Sequence, residues 1–220
     1  MPRRFYMALV HKNRLRNFFF CGICLFISEF LKQLLLTFAV NGGNYYWWYF
    51  PFQLCSIPMY LMLLLPFVGP KTQEIFLLFL STFGLLGGIA AFADTSGLKY
   101  TLPLLTVHSY IWHFLLILSG IYAGCTLSKH IRFHFSLSAF RLNVLVYLSC
   151  CFLAECINLS FDSLGTINMF YINPDYPMQQ IVFRDIANTL SNPIAILLYI
   201  SATICGASLL FLLWRYVQKQ

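Results

Sequence analysis

The sequence predicts an all-α protein, a polytopic membrane helical bundle of six transmembrane helices with both termini on the cytoplasmic side. Composition is the first observation behind this: of 220 residues, 60% are apolar and 10% are charged, against about 25% charged in a soluble domain. The second is that the basic residues lie in short segments between apolar runs, where they orient helices in a bilayer. The net charge of +7 is thereby explained without a nucleic-acid partner, and we predict none.

Six apolar stretches are long enough to cross a bilayer, which takes roughly 20 residues. They lie at residues 17–40, 51–68, 74–93, 103–124, 139–160 and 192–214. The second is the shortest and carries Pro51, Pro58 and Pro66, so we expect a kink or a partly unwound turn in it. The spans form a single transmembrane domain. Residues 161–191 are predicted to be an external loop that folds over the mouth of the bundle.

The loop charges alternate in step with the predicted spans. Eleven basic residues fall on one side: Arg3, Arg4, Lys12, Arg14, Arg16, Lys71, Lys129, Arg132, Arg141, Arg215 and Lys219. The other side carries Lys99 and Arg184, together with the acidic residues Asp94, Asp162, Asp175 and Asp185. Because basic residues accumulate in cytoplasmic loops, both termini are predicted to lie inside. We therefore expect a multi-pass protein of the cell membrane.

Two pairs of glycines have the spacing that suits close contact between membrane helices. Gly84 and Gly88 lie four residues apart in the third span, and Gly120 and Gly124 lie four apart in the fourth. Small residues let two helix backbones approach closely. We expect both pairs to be packing features.

Ionisable residues within the spans are few, and each is a candidate for function because a charge inside a bilayer is costly. Glu29 and Lys32 lie three residues apart in the first span and therefore share one helical face. We expect them to form an intramembrane ion pair that locks the bundle. A part in substrate binding is the alternative.

A cluster of polar side chains is predicted in the outer half of the bundle. At a rise of about 1.5 Å per residue, polar residues from four spans lie at similar depths below the outer membrane boundary. They are Gln53, Cys55, Asp94, His108, His113, Glu155 and Asn158. A thiol beside an imidazole becomes a nucleophilic thiolate when the ring takes its proton. A carboxylate or amide orients such a ring, and an amide also binds an oxyanion. The alternative is that each of these side chains is a hydrogen-bonded core residue.

A metal site is disfavoured at the two histidines. His108 and His113 lie five residues apart, which places them about 140° apart around a straight helix. One helix does not aim two side chains so arranged at a single point. We predict neither a metal nor another cofactor.

The segment Phe50-Pro51-Phe52-Gln53-Leu54-Cys55-Ser56 resembles the "LPLHLC" signature of the YwaF / TMEM164 family of integral membrane proteins, with Gln53 where a His is common. Further segments keep the family's order. Ala90–Asp94 is similar to its "ALLTPD" turn, His113–Leu116 to its "HGLI" stretch, Asn158 with Asn168–Phe170 to its "N…NYMFL" element, and Asn192-Pro193 to the start of its last helix. The resemblance extends over residues 15–215.

This resemblance implies a function for the polar cluster. The TMEM164 branch of the family is implied to be a glycerophospholipid acyltransferase that uses the Cys of this motif with a His. Carried over, Cys55 is the nucleophile that accepts the acyl chain, and His113 is the general base. His108 has no counterpart in the family and rests on its predicted depth alone. The implied partners are membrane lipids, as phospholipid or fatty acyl donor.

Two other classes of function stay open at this point. One is a membrane binding or transport protein whose polar cluster receives a small polar solute or a lipid headgroup. The other is a non-catalytic partner subunit of a membrane complex. The sequence predicts no particular oligomeric state, and it does not decide whether the chain is an enzyme.

Overall fold

The computed structural model describes the backbone of residues 3–130 and 133–220, and the side chains from residue 13 onward within those ranges. Among these residues the secondary structure is entirely helical, which confirms the all-α prediction. The α-helices are α1 (Arg3–Leu34), α2 (Ile57–Leu64), α3 (Pro70–Phe79), α4 (Leu85–Ala93), α5 (Pro103–Ser128), α6 (Leu137–Phe161), α7 (Ile181–Thr189) and α8 (Asn192–Lys219). The side chains of Arg3, Arg4, Lys12 and Arg132, which entered the loop-charge prediction, lie outside the described part.

Five helical segments within the described residues are long and apolar enough to cross a membrane. They are Asn13–Val40, Pro70–Ala93, Pro103–Ser128, Leu137–Leu164 and Asn192–Lys219. Two of them contain π turns: α1 continues through Leu35–Val40, and the turn Leu80–Gly84 joins α3 to α4. Each segment coincides with one of the apolar stretches found in the sequence.

The second apolar stretch, residues 51–68, does not form a continuous helix and is helical only in its second part. The helix begins at Ile57 and ends with a 3-10 turn at Phe67. Pro58 occupies its first turn, where the missing N–H costs no hydrogen bond. Residues 50–56 before it are non-helical, which agrees with the unwound turn expected from the prolines.

This second segment packs antiparallel on α1. The Leu63 backbone nitrogen lies 3.0 Å from the position that a Cβ would take on Gly22, and the rings of Phe67 and Phe19 have centroids 5.8 Å apart. Because the two segments are antiparallel, the residues before Leu63 lie beside the residues that follow Gly22 in α1. The non-helical residues 50–56 therefore lie within the bundle, beside the part of α1 that carries Glu29 and Lys32.

Close helix contacts occur at the glycines, as their spacing predicts. A Cβ on Gly120 would lie 2.8 Å from the carbonyl oxygen of Leu80. A Cβ on Gly124 would overlap the ring of Trp214, and one on Gly88 would lie 2.9 Å from Ile117. Helices α3–α4, α5 and α8 can approach so closely only because these positions carry no side chain.

The π turn Leu80–Gly84 binds its neighbours by hydrogen bonds. A π turn interrupts the regular helical bonding pattern and frees carbonyl groups. Trp214 Nε1 of α8 donates to the Ser81 carbonyl oxygen (3.0 Å). Asn143 Nδ2 of α6 donates to Thr82 Oγ1 (2.8 Å). Buried polar groups with such partners fix the mutual register of α4, α6 and α8.

The connections between helices gather at two ends of the bundle. One end, here called the cavity end, contains residues 41–56, 94–102 and 165–191, which contact one another through the rings of Tyr49 and Tyr100 (6.1 Å) and through Gln53. The other, here called the basic end, contains residues 129–130 and 133–136 and the end of α8, and Gln218 bonds Phe133 and Phe135 to α8. The candidate site lies at the cavity end.

Candidate functional site

A cavity of about 450 Å³ opens at the cavity end. It is lined by seven of the residues singled out in the sequence: Glu29, Lys32, Gln53, Cys55, Asp94, His108 and His113. These come from α1, the non-helical segment before α2, the end of α4, and α5. The structure thus brings the thiol, both imidazoles and the ion pair to one space.

Cys55 lies on the non-helical segment, and its backbone is held from α5. Trp112 Nε1 donates a hydrogen bond to the Cys55 carbonyl oxygen (3.2 Å). The Tyr60 hydroxyl donates to the carbonyl oxygen of Pro51 (2.8 Å) in the same segment. Non-helical backbone at membrane depth is tolerated only where it is buried in protein or lines a cavity. Here the segment is partly buried and lines the cavity, and side-chain donors bind two of its carbonyl groups.

His113 is buried, with 8% of its surface exposed, and its ring is oriented by its own helix. Nδ1 lies 2.8 Å from the carbonyl oxygen of Ser109. Because a carbonyl oxygen only accepts hydrogen bonds, Nδ1 carries the proton of the neutral ring. Nε2 is then left as an acceptor. A ring held this way has the tautomer that a general base requires.

Glu29 and Lys32 form an ion pair on the wall of the cavity. Lys32 Nζ lies 2.8 Å from Glu29 Oε2, and Glu29 is 4% exposed. Gln33 Nε2 donates both to Glu29 Oε1 (2.6 Å) and to the carbonyl oxygen of Tyr49 (2.7 Å). The pair is therefore fixed to the segment that precedes Cys55.

Two further predicted residues differ in how they are held. Asp94 follows the last residue of α4, and its carboxylate accepts a hydrogen bond from the Ser96 backbone N–H (3.0 Å). Hydrogen bonds from the Ser96 hydroxyl and N–H lower the pKa of the Asp94 carboxyl below its usual value. His108 packs its ring against Trp112 (5.8 Å between centroids). Both of its ring nitrogens are buried without a hydrogen-bond partner among the described residues.

The Gln53 amide forms hydrogen bonds with a turn in the connection between α6 and α7. Gln53 Nε2 donates to the carbonyl oxygen of Asn168 (2.9 Å), and Gln53 Oε1 accepts from the Phe170 N–H (2.7 Å). Phe170 and Tyr171 both have a positive φ of 57°, a strained conformation for aromatic residues. Gln53 therefore holds this turn in place, and Tyr171 from the turn lines the cavity.

Asn158 and Glu155 support the same turn from α6 and do not line the cavity. Asn158 Oδ1 accepts from the Met169 N–H (2.7 Å), and Asn158 Nδ2 donates to Glu155 Oε2 (3.1 Å). Asn158 is fully buried. A depth similar to that of Cys55 was predicted for these two residues, but they lie behind the wall of the cavity and not in it. In this arrangement the Gln53 and Asn158 amides both bind the turn, and neither points at a ligand.

Aromatic residues that sequence reasoning did not assign complete the cavity. They are Trp48, Tyr49, Tyr100, Trp112, Tyr171 and Tyr199. Tyr171 and Tyr199 come from the connection after α6 and from α8, where no motif marked them. Trp112 had one available signal, its position directly before His113 and four residues after His108.

The fold and the cavity define a polytopic helical membrane protein with a polar cavity that holds a thiol, two imidazoles and an ion pair. The family model of the TMEM164 family matches residues 4–214 of the chain, and the chain belongs to this family. That match confirms the resemblance found in the short motifs. No curated protein matches the chain, and no solved structure matches it.

Proposed function

We propose that this protein is a thiol-dependent phospholipid acyltransferase, with Cys55 as the nucleophile and His113 as the general base. In this proposal it crosses the cell membrane six times with both ends in the cytoplasm. The segment 51–68 is the sixth crossing, through its unwound half and α2. Membrane phospholipids serve as donor and acceptor of the acyl chain.

The observation that supports this proposal most is that one cavity is lined by both Cys55 and His113. His113 presents an unprotonated Nε2 because Ser109 holds Nδ1. Membership of the TMEM164 family supports the same assignment through the implied activity of that family. The apolar part of the lining, Leu86, Ala90, Ala91 and Ala202, suits the chain of a lipid.

The first half of the proposed reaction forms a thioester. His113 Nε2 takes the proton of the Cys55 thiol, and the thiolate attacks the ester carbonyl carbon of the donor phospholipid. The carbon–oxygen bond to the glycerol breaks. The departing alkoxide takes the proton from the His113 ring and leaves as a lysophospholipid. The acyl chain stays on Cys55.

The second half transfers the chain. His113 Nε2 takes the proton from the hydroxyl of an acceptor lysophospholipid, whose oxygen attacks the thioester carbonyl carbon. The carbon–sulfur bond breaks, and the thiolate of Cys55 recovers the proton from His113. No net proton or electron is consumed, so the reaction needs no cofactor. Gln53 and Asn158 act in this scheme as positioning residues for the turn that carries Tyr171.

Acyl transfer is measured with the purified protein in vesicles of dioleoyl phosphatidylcholine that contain a deuterated lysophospholipid. We expect a deuterated diacyl product, which Cys55→Ala and His113→Gln each reduce to background. Cys156→Ala is the matched control, because Cys156 is an exposed cysteine of α6, and it keeps full activity. Full transfer by Cys55→Ala contradicts the proposal, as does the absence of product with choline, ethanolamine and glycerol phospholipids as donors.

A second candidate function, a binding protein for a polar solute or lipid headgroup, is favoured by the ion pair. Glu29 and Lys32 line the cavity but have no step in the thiol reaction. If this candidate is correct, the wild-type protein transfers no acyl chain. The cavity ligand then protects Cys55 from a maleimide reagent, and the double variant Glu29→Gln/Lys32→Met loses this protection.

A further inference from the structure

A second cavity, about 510 Å³ in volume, opens at the basic end of the bundle. We call it the basic groove. Its described lining comes from the end of α5, the connection to α6 and the end of α8: Ser128, Lys129, His130, Phe133, His134, Phe135, Ser136, Arg215, Gln218 and Lys219. The groove shares no residue with the cavity that contains Cys55.

The charge of the basic groove has one sign. Lys129, Arg215 and Lys219 supply three fixed positive charges, and His130 and His134 add two imidazoles. No Asp or Glu belongs to the described lining. Glu74 of α3 lies 3.5 Å from His130 Nδ1. One carboxylate does not neutralise the three fixed cations, so the groove attracts an anion.

Hydrogen bonds and buried aromatic contacts hold the walls of the groove in place. Gln218 Nε2 of α8 donates to the carbonyl oxygen of Phe133 (2.7 Å), and the Phe135 N–H donates to Gln218 Oε1 (3.2 Å). Phe133 and Phe135 are buried, and Phe135 packs against Phe211 (5.8 Å). Phe133 and Phe135 are thereby bound to α8, and these contacts fix the shape of the groove.

The first turn of α6 adds to the field in the groove. Ser136 lines the groove and caps this helix by accepting from the Ala139 N–H (3.2 Å). The start of a helix carries a partial positive charge that favours anions, above all phosphate groups. The ends of α5 and α8 also border the groove and carry the opposite partial charge, so the three fixed cations determine the sign of the field. Arginine and lysine are the side chains that bind phosphate. The ligand class that fits this set is a phosphate group.

We propose that the basic groove binds the phosphodiester headgroup of an anionic phospholipid. Two membrane-spanning segments, Pro103–Ser128 and Asn192–Lys219, end at the groove, so it lies at the level of the headgroups. Its aromatic residues, Phe133 and Phe135, give an apolar floor for the first carbons of the acyl chains of a lipid. A soluble phosphate would use the cations but not this floor.

Binding is tested by native mass spectrometry of the full-length protein with dioleoyl phosphatidylglycerol and dioleoyl phosphatidylcholine. We expect about tenfold tighter retention of the anionic lipid, a difference of about 1.4 kcal/mol. Lys129→Gln/Arg215→Gln abolishes this preference. Arg141→Gln is the matched control, because Arg141 is an exposed basic residue at the start of α6 outside the groove lining, and it leaves the preference unchanged. Equal loss in the control contradicts a specific site.

Two further measurements keep the proposal testable if the double variant is unstable. Arg215→Lys, which keeps the charge, retains most of the preference, whereas Arg215→Gln alone weakens it. An excess of inorganic phosphate does not displace the lipid from the wild-type protein. If phosphate displaces it fully, the groove is a site for soluble anions and the proposal is wrong. A preference unchanged in Arg215→Gln and in the double variant also overturns it.

Discussion

The indole Nε1 of Trp112 donates a hydrogen bond to the carbonyl oxygen of Cys55 over 3.2 Å. This bond joins α5 to the non-helical segment in which Cys55 lies. The neighbour of Trp112 in the chain is His113, whose ring is fixed by Ser109. One short stretch of α5 therefore positions both the backbone of the proposed nucleophile and the proposed base.

The bond from Trp112 predicts a loss of stability in Trp112→Phe. The Cys55 carbonyl oxygen would lose its donor in a buried place, which costs about 1–3 kcal/mol. Thermal unfolding in detergent should show a clear fall in Tm. Trp48→Phe is the control, since Trp48 lines the same cavity and Trp→Phe removes the same atoms there. Equal shifts for the two variants would show that the bond does not hold the segment.

The ion pair predicts a compensating pair of substitutions. Lys32→Met leaves the buried Glu29 carboxylate with Gln33 as its one partner among the described residues, and breaking a buried pair costs about 3–5 kcal/mol. Adding Glu29→Gln removes the stranded charge and should recover most of that loss. Unfolding of both single variants and the double variant measures the coupling. Additive losses would contradict a direct pair.

The close contact between Gly124 and Trp214 predicts a position-specific effect of a methyl group. A Cβ at Gly124 would overlap the Trp214 ring, so Gly124→Ala must displace the ring and its hydrogen bond to Ser81. Overpacking of this kind costs about 1–3 kcal/mol. Gly97→Ala is the control, because a Cβ there meets nothing within 4 Å. Thermal unfolding should separate the two variants clearly.

The clamp by Gln53 predicts local protection in the turn of residues 168–171. The Phe170 N–H donates to Gln53 Oε1, so its hydrogen exchange is slow in the wild type. Gln53→Leu should speed exchange in that peptide. Gln73→Leu, which removes an amide that serves the other end of the bundle, should leave it unchanged. Slow exchange in Gln53→Leu would mean that Asn158 alone holds the turn.

Much of the fold follows from the sequence, because long apolar stretches determine membrane helices directly. Five of the six stretches correspond to long helices, and both glycine pairs lie at close helix contacts. The remaining stretch, residues 51–68, is also apolar, but hydropathy does not show where along it the backbone is non-helical. Pro51 and Pro58 gave the only local signal for the start at Ile57.

The site was less predictable, for a physical reason. Residue spacing along the spans gave a similar predicted depth for Cys55, His108 and His113, and these three residues line one cavity. Depth does not report which way a side chain faces. Asn158 reaches that level but binds the turn at Met169, and Tyr171 enters the cavity through a strained turn that no periodic pattern encodes.

The most direct test of the central claim is to trap the acyl chain on Cys55. The wild-type protein in vesicles of dioleoyl phosphatidylcholine, without acceptor, is analysed by intact and peptide mass spectrometry. We expect an oleoyl adduct on the Cys55 peptide that hydroxylamine removes, and His113→Gln should slow its formation by about a hundredfold or more. An adduct absent from Cys55, or formed equally fast in His113→Gln, would contradict a cysteine–histidine acyltransferase in this cavity.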